Sequence, residues 1–138
     1  MRGIFLDTAP LIYLTEGEEW RAEPIRRQLI RWLESDATVV TSVLTLMEVL
    51  AHPRRMRNGS LEDQYRRLLS SLLGAPLITI DERIAVRAAD YRVQFGFKAP
   101  DALQLAAAVA YGCEVFYTND ERLRKFPHLD IMLAQGRP

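Results

Sequence analysis

The chain has 138 residues, 49% of them hydrophobic and 26% charged, with 18 Lys and Arg against 18 Asp and Glu for a formal net charge of zero. That is ordinary globular composition at the size of one domain, taken as 1–138, and it excludes a disordered or fibrous chain. One cysteine excludes an internal disulfide framework and a multi-cysteine metal site, while zero net charge counts against a nucleic-acid partner, whose phosphates ask for a basic excess.

Gly3–Leu6 has the apolar run of a short buried strand ending at Asp7. Residues 22–35 place Ile25, Leu29, Trp32 and Leu33 on one helical face, and the β-branched run 38–42 predicts a second strand. Residues 44–51 predict a helix that stops near Pro53, followed by a polar loop at 54–60. Leu61, Tyr65, Leu68, Leu69, Leu72 and Leu73 form the clearest helical stripe, which Gly74 ends. Residues 76–80 predict a third strand, and Asp81 caps a helix facing inward through Ile84, Ala88, Tyr91 and Phe95. The uncharged, alanine-rich run 102–112 predicts a buried helix, with strands at 114–118 and 128–133 after it. Alternating strands and helices without a linker or repeat predict an α/β domain, its mostly parallel sheet covered by helices on both faces. The uncharged stretches 37–47 and 102–113 are too short for the roughly 18–20 residues of a membrane span. Asp7 also interrupts the opening apolar run too early for a signal peptide, so a cytoplasmic protein without a membrane partner is expected.

In such sheets ligands bind beyond the carboxyl ends of the strands, which makes the acids there informative. Asp7 follows the first strand and Asp120 the one at 114–118; Glu48 lies about one and a half helical turns beyond the second. Asp101 opens the buried helix. Each has a plainer reading: Asp7 and Asp120 as caps or turn residues, Asp101 as a favourable charge at a helix N-terminus. Glu48 shares an apolar stripe with Leu44, Met47 and Ala51, where an unpartnered carboxylate would cost several kcal/mol. Four acids meeting at one sheet edge would repel one another without a cation, and an all-oxygen ligand set calls for a hard one, Mg²⁺ or Mn²⁺. Thr8, Ser42, Thr118 and Asn119 are near enough in sequence to orient those carboxylates. The combination suits metal-assisted phosphodiester hydrolysis.

The segments Leu-Asp-Thr-Ala-Pro-Leu-Ile-Tyr, Ser-Val-Leu-Thr-Leu-Met-Glu-Val-Leu, Pro-Asp-Ala-Leu-Gln-Leu-Ala and Tyr-Thr-Asn-Asp resemble, in order, the four acidic motifs of PIN-domain ribonucleases. Length and the opening motif resemble most the VapC toxins of VapBC toxin–antitoxin pairs. The resemblance covers essentially the whole chain. It implies a PIN-like three-layer α/β/α fold around a sheet of four to five strands, and a Mg²⁺- or Mn²⁺-dependent endoribonuclease. It further implies a homodimer held inactive by a cognate VapB-type antitoxin. Asp7, Glu48, Asp101 and Asp120 match the acidic quartet and Thr118 the hydroxyl before its last member; Ala9 stands where many relatives carry Asn. On this reading Asp7, Glu48 and Asp101 hold one ion, and Asp120 reaches it through water or serves a second.

Arg54, Arg55 and Arg57 are candidates for the RNA backbone, beside the plainer reading of a solvated turn. His52 and His128 adjoin prolines without ligand spacing, and Cys113 reads as a small core residue. Trp20, Trp32 and Tyr65 offer either base stacking or apolar packing, with the helical periods favouring packing for the last two. Non-enzymatic alternatives are a phospho-acceptor domain, which would need paired acids after the first strand, and a degenerate PIN binding module; a PIN nuclease of RNA processing is a third. With four acids consumed by metal, 18 bases would face 14 acids, and five of those bases lie between Arg54 and Arg67. Zero net charge therefore leaves room for a phosphate ligand.

Overall fold

The computed structural model describes residues 2–134. Apolar runs build a four-stranded, wholly parallel sheet: β1 (Gly3–Leu6) and β3 (Val115–Thr118) at its centre, with β2 (Thr38–Val40) and β4 (Asp130–Leu133) at the edges. The order is β2-β1-β3-β4, so β1 is flanked on both sides; Phe5 aligns with Val40 of one neighbour and Phe116 of the other.

Alternate side chains of each strand enter opposite cores, as the two-residue pleat requires. Ile4, Leu6, Val39, Val115 and Tyr117 meet the helices α1 (Thr8–Glu16), α2 (Glu19–Leu33), α3 (Val43–Arg55) and α4 (Gly59–Leu72). Phe5, Val40 and Phe116 meet α5 (Glu82–Phe95) and α6 (Ala99–Tyr111). The result is three layers, helix on sheet on helix. The uncharged helix α6 is the most deeply covered, with Ala102, Leu105, Ala106, Ala107 and Ala108 all fully buried.

The expected third strand at 76–80 does not form. Its pairing with the chain beside β2 reduces to a single parallel bridge, Ser42 with Ile78, in which Ile78 N–H donates to the Thr41 carbonyl and Val43 N–H to that of Ile78. β2 ends early because Ser42 already caps α3, accepting from Leu44 N–H at 3.1 Å. Pro76, for its part, has no N–H to continue a ladder.

Helix α3 runs through Pro53 instead of stopping before it. So late in a helix a proline removes one hydrogen bond, and Pro53 is itself buried. The end comes two residues later, at Arg55. Arg57 N–H donates to the Arg54 carbonyl and Asn58 N–H to that of Pro53, with Arg57 in the left-handed region at φ 51°. Arg54 and Arg55 are thus helical, and the polar loop expected at 54–60 shrinks to the few residues before Gly59.

The buried face of α3 is Thr45, Val49, Leu50 and Pro53, and the stripe expected to be inward is not: Met47 is 59% exposed. Glu48 therefore lies at the border between packed face and solvent. Among the described residues no helix is long and apolar enough to cross a membrane.

Candidate active site

Because all four strands are parallel, the chain leaves β1, β2 and β3 at the same edge of the sheet. A cleft of about 420 Å³ opens there, and Asp7, Glu48, Asp101 and Asp120 all line it. They arrive on four different elements.

Asp7 caps α1: its Oδ1 accepts from Thr8 N–H at 2.8 Å and its Oδ2 from the Thr118 hydroxyl at 2.8 Å. Burial pushes this carboxyl up to about 6 against those two hydrogen bonds, and the charges of Asp101 and Glu48 push the same way. Glu48 accepts from the Thr8 hydroxyl at 2.6 Å, so Thr8 serves one acid through its backbone and another through its side chain. Asp101, in the first turn of α6, is raised by burial first and then by Asp120, with Arg122 opposing.

Asp120 differs from the other three. It caps the 3-10 turn Glu121–Lys125, and the Arg122 guanidinium grips both of its oxygens, at 2.9 and 2.7 Å. That grip holds its carboxyl below the usual range. Thr118 joins Asp120 to Asp7, since its hydroxyl donates to Asp7 and accepts from Asp120 N–H at 3.1 Å.

The acids share a cleft, yet among the described residues no three His, Cys, Asp or Glu side chains stand close enough to hold an ion as placed. Two of the carboxylates are instead engaged by protein donors: Glu48 by Thr8 and Asp120 by Arg122. The donor set fits a hard cation in its chemistry, being all carboxylate oxygen. Asp7 and Asp101 are both raised first by burial and then by neighbouring carboxylates, Asp101 against the opposing charges of Arg122 and Lys98.

Thr8 and Thr118 thus touch acids directly. Ser42 does not: its hydroxyl donates to the Gln104 amide oxygen. Asn119 lines the cleft, but its amide nitrogen binds the Ala134 carbonyl and its Oδ1 is buried without a partner. Arg54 is held by Glu62 at 3.0 Å, and neither it nor Arg55 nor Arg57 lines the cleft.

Beneath the acids runs a buried polar chain that sequence reading passed over. Each hydroxyl has one proton to give, and that count sets the direction of the chain. Gln104 Nε2 donates to Thr45 at 2.7 Å, and the Thr41 hydroxyl, 2.9 Å from that of Thr45, donates to the Leu6 carbonyl at 2.6 Å. With its proton spent on Leu6, Thr41 receives the proton of Thr45. Gln104 thereby ties the helix bearing Asp101 to the helix bearing Glu48 and to the strand ending at Asp7. A signal existed: a glutamine in an uncharged, alanine-rich helix must find partners if that helix is buried.

The fold has close counterparts among solved structures. A toxin–antitoxin complex from Klebsiella pneumoniae is 24% identical with TM-score 0.76, covering 97% of this chain and 99% of that one. The VapBC2 complex of Rickettsia felis on a promoter DNA fragment is 15% identical with TM-score 0.78, covering 95% and 98%. VapC20 of Mycobacterium tuberculosis, a sarcin–ricin loop cleaving toxin, is 19% identical with TM-score 0.69, covering 92% and 98%. At these identities the likeness is one of fold. No curated protein matches the sequence significantly. The family comparison is decisive: the PIN domain matches residues 4–129, nearly the whole length, and the chain belongs to the PIN-domain family.

Proposed function

We propose that this PIN domain is a divalent-metal-dependent endoribonuclease of the VapC kind, restrained by a cognate antitoxin. The observation that carries the reading is the cleft at the sheet edge. Four carboxylates from four elements line it, two of them with proton affinities raised by burial and by neighbouring carboxylates. Asp7, Glu48 and Asp101 would hold the Mg²⁺ or Mn²⁺ ion, with Asp120 nearest to a second or water-mediated position. When bound, such an ion supplies charge stabilisation to a phosphoryl centre and lowers the pKa of water.

The protein's own part is positioning. Thr118 and the start of α1 fix both oxygens of Asp7, and Thr8 orients Glu48. Arg122 competes with a cation for Asp120 and must release it if that acid is to serve. The antitoxin is inferred from the neighbours of similar fold, several of which are toxin–antitoxin complexes. A homodimer belongs to the same reading.

The test is cleavage of total RNA by the purified chain with Mg²⁺ or Mn²⁺, beside a chelator control. Asp7→Asn should reduce cleavage by at least a hundredfold while the circular dichroism spectrum stays that of the parent. Undiminished metal-dependent cleavage by that variant would overturn the assignment.

A further inference from the structure

The cleft lining includes no lysine or arginine, although an RNA strand that enters it brings phosphates on either side of the scissile one. One wall of the cleft is the α1 residue Tyr13. Over the ring of Tyr13, 4.3 Å from its centre, lies the guanidinium carbon of Arg21 on α2, and the Trp20 ring takes the same group at 5.0 Å. Trp20 is in turn held by its indole N–H, which donates to Glu18 at 2.8 Å.

Arg21 therefore lies over a ring that forms part of the cleft wall, oriented by two aromatic side chains. Ring contacts of this kind use the charge of a guanidinium but none of its N–H donors, which lie in its plane. Its neighbours on α2 are differently employed. Arg26 pairs with Glu19 and Glu23, and Arg27 with Glu23. Arg21 has no carboxylate partner among the described residues, so its donors are uncommitted.

We infer that Arg21 is a phosphate-binding residue of the RNA-cleaving site. Pre-oriented by Tyr13 and Trp20, it takes the backbone phosphate of a nucleotide leaving the cleft along α1. This rests on the nuclease reading above and adds to it the path of the strand. It also moves the first basic contact from the arginines after Glu48 to the α1–α2 side. Planar, forked donors suit a phosphate better than a point charge does, and holding them in place beforehand lowers the ordering cost of binding.

The experiment measures binding of a fluorescein-labelled, single-stranded 12-nucleotide RNA of mixed sequence by anisotropy over a range of NaCl concentrations. It uses the full chain carrying Asp7→Asn, so that the probe survives. Adding Arg21→Gln should weaken binding roughly fivefold or more at moderate salt and flatten the salt slope by about 0.7, the value of one lost single-strand phosphate contact. Arg21→Lys should keep most of the slope, and Tyr13→Ala should lose affinity without an equal change of slope. Arg31→Gln, the same charge change elsewhere on α2, should leave the slope near that of the parent. An unchanged slope in Arg21→Gln, or an equal change in Arg31→Gln, overturns the inference. If Asp7-bearing protein cleaves RNA while Arg21→Gln alters neither slope nor affinity, only the phosphate contact falls. If the parent neither cleaves nor binds RNA, the nuclease reading falls with it.

Discussion

Asp7 serves two ends that ask for opposite chemistry. As the cap of α1 it accepts hydrogen bonds best when ionised, yet its burial beside Asp101 and Glu48 opposes that charge, and the second influence wins. Its folded pKa, about 6 against an ordinary 3.8, means that the folded protein holds this proton more tightly than the unfolded one. Ionised Asp7 therefore costs stability above pH 6, by about 2–3 kcal/mol in the metal-free protein, and the cost is relieved as pH falls from 6 toward 4. Asp7→Asn, which can still cap the helix, should raise the metal-free melting temperature by several degrees at pH 7.5, and the gain should vanish near pH 4. Thermal melts in chelator across that range test the sign. Mg²⁺ or Mn²⁺ should stabilise the parent and leave the variant unmoved, because binding to the folded state alone adds stability by mass action. The acids were legible in sequence because a charge next to a buried run is conspicuous. Arg21 was not, since nothing local tells an arginine lying on two rings from one in solvent.

Helices α3 and α6 each carry one acid and strand β1 leads into a third, and Gln104 is the joint between them. Its amide receives the Ser42 proton and donates to Thr45, and all three side chains are essentially inaccessible to solvent. Gln104→Leu keeps the volume and removes both bonds, leaving the buried Ser42 hydroxyl proton without its acceptor and Thr45 without one of its donors. It should cost about 2–4 kcal/mol. Urea unfolding should show this as a lower midpoint with an unchanged slope; a cost well under 1 kcal/mol would mean that the hydroxyls re-pair. Element type was readable wherever the period was long: the α4 stripe through Tyr65, Leu69 and Leu72 is buried as its spacing predicts. Short runs misled. Residues 76–80 have strand composition but meet a neighbour that has already turned into α3, and the inward face of α3 is set by Thr45 and Val49 rather than by Met47.

Two cores on opposite faces of one thin sheet make the molecule depend on the helices that cover it. Cys113, between α6 and β3, reports on that cover. It is buried against Gly3, where a Cβ would come within 3.2 Å of the Cys113 Cα, and burial pushes its thiol up to about 12. At pH 8 an aromatic disulfide reagent should label native protein at least about a thousandfold more slowly than urea-unfolded protein, since reaction must await opening. Fast labelling would reveal local opening where α6 meets β3.

Local chemistry was enough to reveal the alternation of strands and helices, the capping role of Asp81 and the order of the four acids along the chain. Periodicity, capping and charge are properties of neighbouring residues, and the sequence states them outright. Tertiary structure alone decided how far apart the acids stand, that Arg122 holds Asp120, that Gln104 joins three elements and that Arg21 lies beside the cleft. Those are distances between groups tens of residues apart, set by how helices settle on a twisted sheet, and no local pattern carries them. The zero net charge belongs to both: the sequence states the sum, while the fold gathers acids into a cleft without basic lining and sets an uncommitted arginine at its edge.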